Sequence, residues 1–352
     1  MAKTIKREIF TEPRLETLER FAPEIVRGSV EPKNIAYEAP SVDTRILEAL
    51  IPYARARRRI DPYALPGYFI MTGRNGLAFV SKRGGHFPVC NHPNRPERLL
   101  VFPPKGNLAA VDAYLESLDP WPVNGVQLAR FSAADAQAFT DDFMKRWNIR
   151  PFVEDTLDWG RYPIRNLPVA TLAVRSGKSF QNHRRKYNYA HRHIAKIEVI
   201  TDWNDEKNAK AHDFIHDWAR KKHAADARFD LYDYVAPYLS ILSIHAECDL
   251  RSICLLFEDQ AGAVMGMVVV EILDRVAAAY MNIAVDAVPY LSSYILMRAC
   301  EYLHETQAAD LLCLGGSEQE SLDTFKANVQ PDVARNDPHW AYGLHSFSVD
   351  PR

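Results

Sequence analysis

The residues with the clearest chemical potential form a cationic segment near the middle of the chain. Between Asp158 and Glu198 there is no acidic residue, whereas the same segment holds nine lysines and arginines. We predict a helix from Ser179 to Ile194 on which cations recur every seven residues and form one exposed stripe. The candidate polyanion-binding residues are Lys178, Arg184, Arg185, Asn188, Arg192 and Lys196.

The opposite stripe of this predicted helix is apolar, because Phe180, Tyr187 and Ile194 also recur every seven residues. Exposed helices usually carry charges of both signs, which pair three or four residues apart, and this helix does not. The pattern therefore indicates a surface that binds a polyanion, either an RNA stem or a lipid headgroup surface, with a strong salt dependence. An ordinary solvated helix is the alternative.

A second motif joins a buried strand to a helix through paired glycines. The strand Leu311 to Leu314 is followed by Gly315, Gly316, Ser317 and Glu318, and Ser317 with Glu320 has the spacing of a capping box. Glycines at a strand exit allow a ligand to approach the backbone. The acidic residues disfavour a phosphate at this helix start and suit the ammonium of an amino acid. Lys326 lies further along the helix, on another face. An ordinary glycine-containing turn is the alternative.

A third candidate is a carboxylate within an apolar strand. Glu271 interrupts the run from Met265 to Leu273, and the next strand carries Tyr280 and Asn282. Burial without a charged partner raises the pKa of a carboxyl group toward values that suit a general base, so Glu271 is a candidate catalytic base. A salt bridge at the strand end, involving Asp274 and Arg275, is the competing explanation.

Other catalytic and binding signatures are missing from the sequence. The junction from Val285 to Ser293 has no glycine and contains Asp286 and Pro289, which disfavours pyrophosphate binding before the following helix. A ligand that carries a pyrophosphate, such as acyl-coenzyme A, is therefore disfavoured at this junction. No HExxH, GxSxG, Walker or paired-cysteine zinc spacing occurs, so we expect no metal and no cofactor.

The elements that position these residues predict an α+β chain in two halves, residues 1–160 and 161–352. For the first half we predict a helical lead-in, followed by a helix (Ser41 to Arg59), strands from Gly67 with an Asn75-Gly76 hairpin turn, helices (Asn107 to Leu118, Ser132 to Trp147) and a strand (Val126 to Phe131).

For the second half we predict a strand, two helices with a short strand between them, an antiparallel three-stranded meander, and then alternating helices and strands. The strands are Ala170 to Val174, Ile197 to Thr201, Arg251 to Glu258, Ala263 to Leu273, Val276 to Val285, Asp310 to Leu314 and Tyr342 to Val349. The later helices are Asp205 to His223, Leu291 to Thr306 and Gln319 to Val329. This order resembles the GNAT acyltransferase fold, and the first half is interpreted as a degenerate copy, giving tandem GNAT-like domains with mixed sheets flanked by helices.

Composition adds limits on the environment of the protein. The 352 residues carry 43 Lys plus Arg against 45 Asp plus Glu, so total charge gives no sign of a polyanionic partner. Five cysteines without a CxxC pair argue against a disulfide framework and for a reducing cytoplasm. The apolar stretch from Ala261 to Val270 is about half of the ~20 residues that span a bilayer, so no integral membrane segment is expected.

Three of these segments together resemble the catalytic domain of the phosphatidylglycerol lysyltransferases and their DUF2156 relatives. They are TLAVRSGKSFQNHRRKYNYAHRH, the meander with its following helix, and LLCLGGSEQESLDTFKANVQP. The resemblance implies tandem GNAT-like halves and transfer of an aminoacyl group from aminoacyl-tRNA, as in the related Fem-type peptidoglycan ligases. It also implies that the stripe from Lys178 to Arg192 holds the tRNA acceptor end and that Lys326 contacts phosphate or substrate. The transmembrane flippase portion of the membrane enzymes is lacking, which disfavours a lipid acceptor against a small molecule.

The implied chemistry is acyl transfer, in which an amine, hydroxylamine or hydroxyl attacks the ester carbonyl at the tRNA 3′ end. Glu271 is the candidate base, with the ribose 2′-hydroxyl as an alternative proton shuttle. Tyr280, Asn282 and the backbone from Gly315 to Ser317 are candidates for orienting the aminoacyl group or its oxyanion. Transfer from acyl-coenzyme A to an amine, and a non-catalytic module that binds RNA or a membrane surface, remain as alternatives.

Overall fold

A computed structural model describes eleven parts of the chain. They are residues 44–57, 62–73, 76–93, 95–152, 162–201, 205–225, 238, 241–242, 251–317, 319–335 and 337–351. The predicted lead-in, Asn75 of the predicted hairpin turn and Glu318 of the glycine motif lie outside these residues.

The described residues contain helices and strands in alternating groups. The helices are α1 (Thr44–Arg57), α2 (Pro66–Thr72), α3 (Ala109–Glu116), α4 (Ala133–Gln137), α5 (Asp141–Arg146), α6 (Val169–Val174), α7 (Gln181–His191), α8 (Asp205–Ala225), α9 (Leu291–Glu305) and α10 (Glu320–Val329). The strands are β1 (Leu77–Lys82), β2 (Gly85–His92), β3 (Arg95–Val101), β4 (Lys105–Gly106), β5 (Val126–Phe131), β6 (Arg150–Pro151), β7 (Pro163–Pro168), β8 (Lys196–Ile200), β9 (Ser252–Glu258), β10 (Val264–Leu273), β11 (Arg275–Ala284), β12 (Ala309–Gly316), β13 (Ala341–Gly343) and β14 (His345–Val349).

The chain divides into two compact units, one of Met1–Glu154 with Leu344–Arg352 and the other of Asp155–Gly343. Each contains a mixed seven-stranded sheet, which confirms the α+β class. No helix in the described ranges is long and apolar enough to cross a membrane.

The first unit has the strand order β1-β2-β3-β5-β14-β6, with β4 also paired to β2. Its core is aromatic, since Phe87, Tyr114, Phe131 and Trp147 pack in one buried cluster. The predicted elements α1, α3 and β5 are confirmed with small shifts of their ends.

Two predictions in this unit are wrong. The segment from Gly67 onward is helix α2 and not the first strand of a meander, because Pro66 starts a helix whose buried apolar residues have no period-two pattern. The single helix predicted from Ser132 to Trp147 is two short helices. The predicted cap with Asp135 is present, but the Thr140 side chain accepts from the Phe143 N–H at 3.2 Å and begins a second helix.

The second unit has the strand order β13-β7-β12-β11-β10-β9-β8. Strands β9, β10 and β11 form the predicted antiparallel meander, and β11 pairs with β12 in parallel. Side chains of α6, α7 and α9 pack with alternate strand residues in one large apolar cluster. This cluster fixes one face of the sheet and therefore decides which strand residues point to the other face.

Two predicted strands in this half of the chain are also wrong. Val169 to Val174 is helix α6, because Val169 and Leu172 share one helical face that is buried in the core near α9. The last predicted strand, Tyr342 to Val349, is divided at Leu344. Strand β13 pairs with β7 in the second sheet. Strand β14 pairs with β5 and β6, so it belongs to the first sheet although we predicted it as part of the second half.

Helix α10 is attached to β7 by a largely buried ion pair. The Arg165 guanidinium donates to both carboxylate oxygens of Asp323, at 2.8 and 2.9 Å, and to the Gln330 side-chain oxygen at 3.3 Å. We expect Asp323→Asn to lower the free energy of unfolding by about 3 kcal/mol, because it leaves the guanidinium without its counter-charge. Urea unfolding monitored by circular dichroism measures this change.

The matched control is Asp310→Asn, which makes the same chemical change in an exposed pair with Arg275. This control should leave the unfolding midpoint where it is, since exposed pairs contribute little. Equal shifts for the two variants would contradict a stabilising role specific to the Arg165 pair.

Candidate active site and cationic surface

Strand register places five buried residues in one row across the second sheet. Reading from β9 to β7, directly opposed residues are Ser252, Glu271, Ala278, Cys313 and Asn166. Opposed residues share a sheet face. The neighbouring row, which includes Ile272, Ala277, Leu312 and Leu167, belongs to the apolar cluster with α9. The row with Glu271 therefore faces away from that cluster.

Glu271 is only 1% exposed, and the Tyr280 hydroxyl donates to its Oε2 atom at 2.6 Å. A β-bulge directs Tyr280 to this carboxylate, because Val269 opposes Met281 and Val270 opposes Ala279, which leaves Tyr280 as the extra residue. Tyr280 is half-buried, so its phenol lies between the buried carboxylate and more accessible space. A phenol hydrogen-bonded to a buried carboxylate is an arrangement that can pass a proton or orient a polar ligand group.

The alternative to a catalytic role for Glu271 was a salt bridge at the strand end, in which Arg275 is the cation. The structure assigns Arg275 to Asp310, with Nε and Oδ2 2.7 Å apart, and to the carbonyl oxygen of Gln307 at 3.0 Å. The strand-end salt bridge is therefore made with another acidic residue, and it does not account for the burial of Glu271.

Asn282 does not join this pair. It opposes Val268, whose side chain belongs to the apolar cluster, so Asn282 lies on the sheet face that carries α9. Its side-chain amide donates to the Ser292 carbonyl oxygen at 3.3 Å. The contact indicates that Asn282 ties β11 to the first turn of α9, whereas its predicted catalytic role stays a prediction.

Strands β11 and β12 diverge next to the Glu271–Tyr280 pair. They are paired only from Arg275 and Ala309 to Ala278 and Cys313, although β11 continues to Ala284 and β12 to Gly316. Over these last described residues the two strands do not pair with each other, so the ladder between them is interrupted beside the pair. Such an opening can hold an extended ligand chain by hydrogen bonds to its amide or carbonyl groups.

The paired glycines lie at the end of β12 and are shaped by local packing. Gly315 has a φ of +73°, and a Cβ atom on Gly316 would lie 1.8 Å from the Tyr162 ring. Gly316 therefore allows a ring of the protein itself, and not a ligand, to approach the backbone. The buried Lys326 ammonium donates to the Gly316 carbonyl oxygen.

The capping box predicted for Ser317 and Glu320 is wrong. Strand β12 runs to Gly316, and α10 begins at Glu320 after Gln319, whose side chain makes no capping bond. Ser317 consequently lies too early to reach the helix start. Its side chain is fully buried, and its hydroxyl oxygen has no hydrogen-bond partner among the described residues. The predicted substrate contacts of Gly315, Gly316, Ser317 and Lys326 stay predictions.

Helix α7 presents most of the predicted cationic stripe to solvent. Lys178, Arg185, Asn188 and Arg192 are exposed, whereas Phe180 and Ile194 are buried and Tyr187 is half-buried. The α-helix ends at His191, so Arg192 follows it and Lys196 starts strand β8. In the described part of the chain, Lys178 and Arg185 have no ion-pair partner.

Other cations of this segment are held by protein groups. Arg184 is half-buried and donates to the carbonyl oxygens of Arg175 and Gly177, at 2.6 and 2.8 Å. Lys196 lies 3.7 Å from a carboxylate oxygen of Glu198 and 3.9 Å from one of Glu258. These contacts make Arg184 and Lys196 weaker candidates for binding a polyanion.

Beneath the helix, a buried carboxylate neutralises two further arginines. Glu301 of α9 accepts from Arg175 and Arg298, and from the Tyr187 hydroxyl at 3.1 Å. Burial and the Glu301 charge raise the pKa of Tyr187. The absence of acidic residues in the local sequence therefore does not mean that every cation is unpaired in space.

Sequence reasoning missed Asn166, which lies in the same row as Glu271. It is 1% exposed, and its Oδ1 atom has no hydrogen-bond partner within the described residues. The prolines around it indicated a connector, whereas Pro163 and Pro168 mark the two ends of strand β7. The run Ile164, Arg165, Asn166 and Leu167 does not alternate between apolar and polar residues, so the sequence carried no period-two signal for this strand.

No family model and no curated protein matches the sequence. The structure of L-PGS from Bacillus licheniformis matches with a TM-score of 0.54 and 11% identity, covering 88% of this chain and 93% of that one. The C-terminal domain (DUF2156) of a putative lysylphosphatidylglycerol synthetase from Agrobacterium fabrum has a TM-score of 0.55 and 9% identity, covering 86% and 92%. FemX has a TM-score of 0.51 and 11% identity, covering 88% and 96%.

The chain shares their fold. These matches confirm the fold that the sequence resemblance implied, and they extend over both units of the chain. At identities near one in ten they show the fold alone, so the chemistry must be argued from the residues described above.

His183 fastens the cationic helix to the end of α10 and gives a pH prediction. Its buried Nε2–H donates to the Val329 carbonyl oxygen at 3.1 Å, and desolvation is the main cause that lowers the pKa of the ring. The unfolded chain therefore binds a proton at higher pH than the folded chain does, so stability falls as the pH drops below about 6.5.

We expect His183→Asn to flatten part of this decline between pH 7 and 5, measured by urea unfolding at several pH values. His345→Asn, a change at an exposed histidine, is the control. A decline that is as steep in the His183 variant as in the parent protein would contradict the assignment.

Proposed function

We propose that the protein transfers an aminoacyl group from aminoacyl-tRNA to an amine, hydroxylamine or hydroxyl of a small molecule. The observation that carries the proposal is the Tyr280 phenol on the buried Glu271 carboxylate, next to the gap between β11 and β12. Two further points support it. The fold is shared with a domain of a putative lysylphosphatidylglycerol synthetase, and the sequence motifs resemble that family.

In the proposed reaction the acceptor nitrogen or oxygen attacks the carbonyl carbon of the ester that joins the amino acid to the tRNA. The new bond to carbon forms as the carbonyl becomes a tetrahedral oxyanion. The nucleophile passes its proton to Glu271, directly or through Tyr280. Collapse of the intermediate breaks the bond to the ribose oxygen, which takes the proton back from Glu271, and yields an amide or ester and free tRNA.

The remaining acceleration comes from positioning, because the ester is already activated. The backbone along the stretch where β11 and β12 do not pair with each other is suited to hold the aminoacyl carbonyl or its oxyanion. The exposed Lys178, Arg185 and Arg192 are suited to bind phosphates of the tRNA. The proposal thus assigns chemistry to the buried pair and donor binding to the helix surface.

An acyl-coenzyme A donor is the second candidate, since a gap between diverging strands also suits the amide-containing arm of a thioester cofactor. The turn before α9 is less suitable for a pyrophosphate. It contains Asp286 and Pro289, and its last residue, Tyr290, is not a glycine.

The donor class can be tested by incubating the protein with bulk tRNA charged with radiolabelled amino acids, using dilute hydroxylamine as the acceptor. We expect loss of esterified amino acid and formation of hydroxamate faster than without protein, and abolition of both by prior RNase treatment. Thiol release from acetyl-coenzyme A, with charged tRNA left intact, would contradict the proposal and favour the second candidate.

Substitutions in the buried pair test the chemistry. We expect Glu271→Gln to lower kcat about 100-fold or more, because an amide cannot accept the proton, and Tyr280→Phe to have a smaller effect. Single-turnover transfer from charged tRNA measures the rates.

The control for this test is Glu258→Gln, which changes another buried strand carboxylate, one that binds Lys210. It should keep the parent rate. If Glu271→Gln reacts as fast as the parent protein, the base is not Glu271, and the ribose 2′-hydroxyl becomes the better candidate.

A further inference from the structure

Two tyrosines stand exposed beside the cationic helix. Tyr189 is 36% exposed and Tyr290 is 43% exposed, and among the described residues no other tyrosine, phenylalanine or tryptophan is exposed. Their ring centroids are 5.8 Å apart with the planes at 85°. A pair of rings in contact at the surface offers partly exposed aromatic groups to a ligand.

A cation lies over each of the two rings. The Arg192 guanidinium carbon is 5.6 Å from the Tyr189 ring centroid, and the Lys186 ammonium is 5.8 Å from that of Tyr290. Partial burial, Arg185 and Arg335 lower the pKa of Lys186, so this ammonium lies among other positive charges. An anionic ligand would relieve that repulsion, and the ring surface that the two cations leave accessible suits a ligand that is both planar and anionic.

The backbone of Tyr290 is strained in a way that its burial does not explain. It precedes α9 with a φ of +67°, in the left-handed region, and its side chain makes no capping bond. Glycine or asparagine adopts this conformation with less strain, whereas a bulky residue is an outlier there. A strained position that holds an exposed ring points to a role in binding.

Tyr290 also lies at the end of the sheet toward which β11 and β12 diverge. It follows the end of β11 at Ala284 by a short turn, and β11 and β12 are parallel and diverge toward this end. A ligand held by the two rings would thus lie at the edge of the sheet where the gap opens.

We propose that Tyr189 and Tyr290 are a stacking platform for the unpaired nucleotides at the 3′ end of the donor tRNA, with Arg185, Lys186 and Arg192 binding the adjoining phosphates. This inference rests on the proposed function and adds residues to its donor site. Unpaired bases offer flat faces that stack on aromatic side chains, and their phosphates meet the cations. A lipid headgroup supplies the anion but no planar face.

Binding of uncharged tRNA at several salt concentrations, measured by fluorescence anisotropy, tests the platform. We expect Tyr189→Leu and Tyr290→Leu each to raise the Kd about tenfold, and Tyr189→Phe and Tyr290→Phe to keep parent affinity, because phenylalanine retains the ring face. The Leu variants should keep the slope of log Kd against log salt. Arg185→Ala should reduce that slope by about one.

A tRNA lacking its unpaired 3′ nucleotides separates stacking from general electrostatic attraction. It should bind the parent protein and both Leu variants equally. Tyr290→Asn guards against a folding defect, because asparagine is favoured at the left-handed position and should raise the Tm while binding of intact tRNA still weakens.

The proposal is overturned if the Leu variants bind intact and shortened tRNA as the parent protein does. It is also overturned if the tyrosines affect binding to phosphatidylglycerol vesicles but not to tRNA. A different result would contradict the proposed function alone. In that case the tyrosines would still be needed to bind the 3′ end of the tRNA, but the protein would not consume charged tRNA.

Discussion

The divergence of two parallel strands is the constraint on which the candidate site depends. Backbone pairing between β11 and β12 stops at Ala278 and Cys313, while β10 continues to pair with β11 as far as Ala284. A continuous ladder would consume the inner edges of both strands. Because it stops, the part of β11 that carries Tyr280 is not paired with β12, and the bulge that directs Tyr280 toward Glu271 lies next to the same interruption. Chemistry and ligand access therefore arise from one interruption in the hydrogen-bonding pattern.

In the second unit, largely buried acidic residues neutralise some of the cations, and other cations remain charged at the surface. Arg165 is bound by Asp323, and Arg175 by Glu301, through contacts between residues more than a hundred positions apart in sequence. Lys178 and Arg185 remain exposed on the surface. Buried pairs of this kind fix the positions of helices, whereas the exposed cations retain their long-range attraction for anions. A single cationic segment thus contributes both to the architecture and to the candidate binding surface.

The sequence predicted the meander, the long helices and the burial of Glu271, because these depend on local periodicity and on strong turn signals. It did not predict α2 and α6, since short apolar runs fit a buried helix as well as a strand and only tertiary packing decides between them. The capping box at Ser317 failed because the strand extends two residues further than its apolar run.

The location of Asn282 on the opposite face of the sheet from Glu271 depends on the bulge. No pattern in the sequence marks such an irregularity. The row that joins Ser252, Glu271 and Asn166 could not be predicted from the sequence either. Predicting it requires the order of the strands in the sheet as well as the presence of each strand.

The pairing of β14 affects how the molecule is assembled during synthesis. This strand lies between β5 and β6 in the first sheet, yet it is separated from them in the chain by the entire second unit. During synthesis, the first sheet therefore lacks the strand between β5 and β6 until residues His345–Val349 have left the ribosome. The intervening unit, whose sheet pairs only strands of its own continuous segment, can fold first.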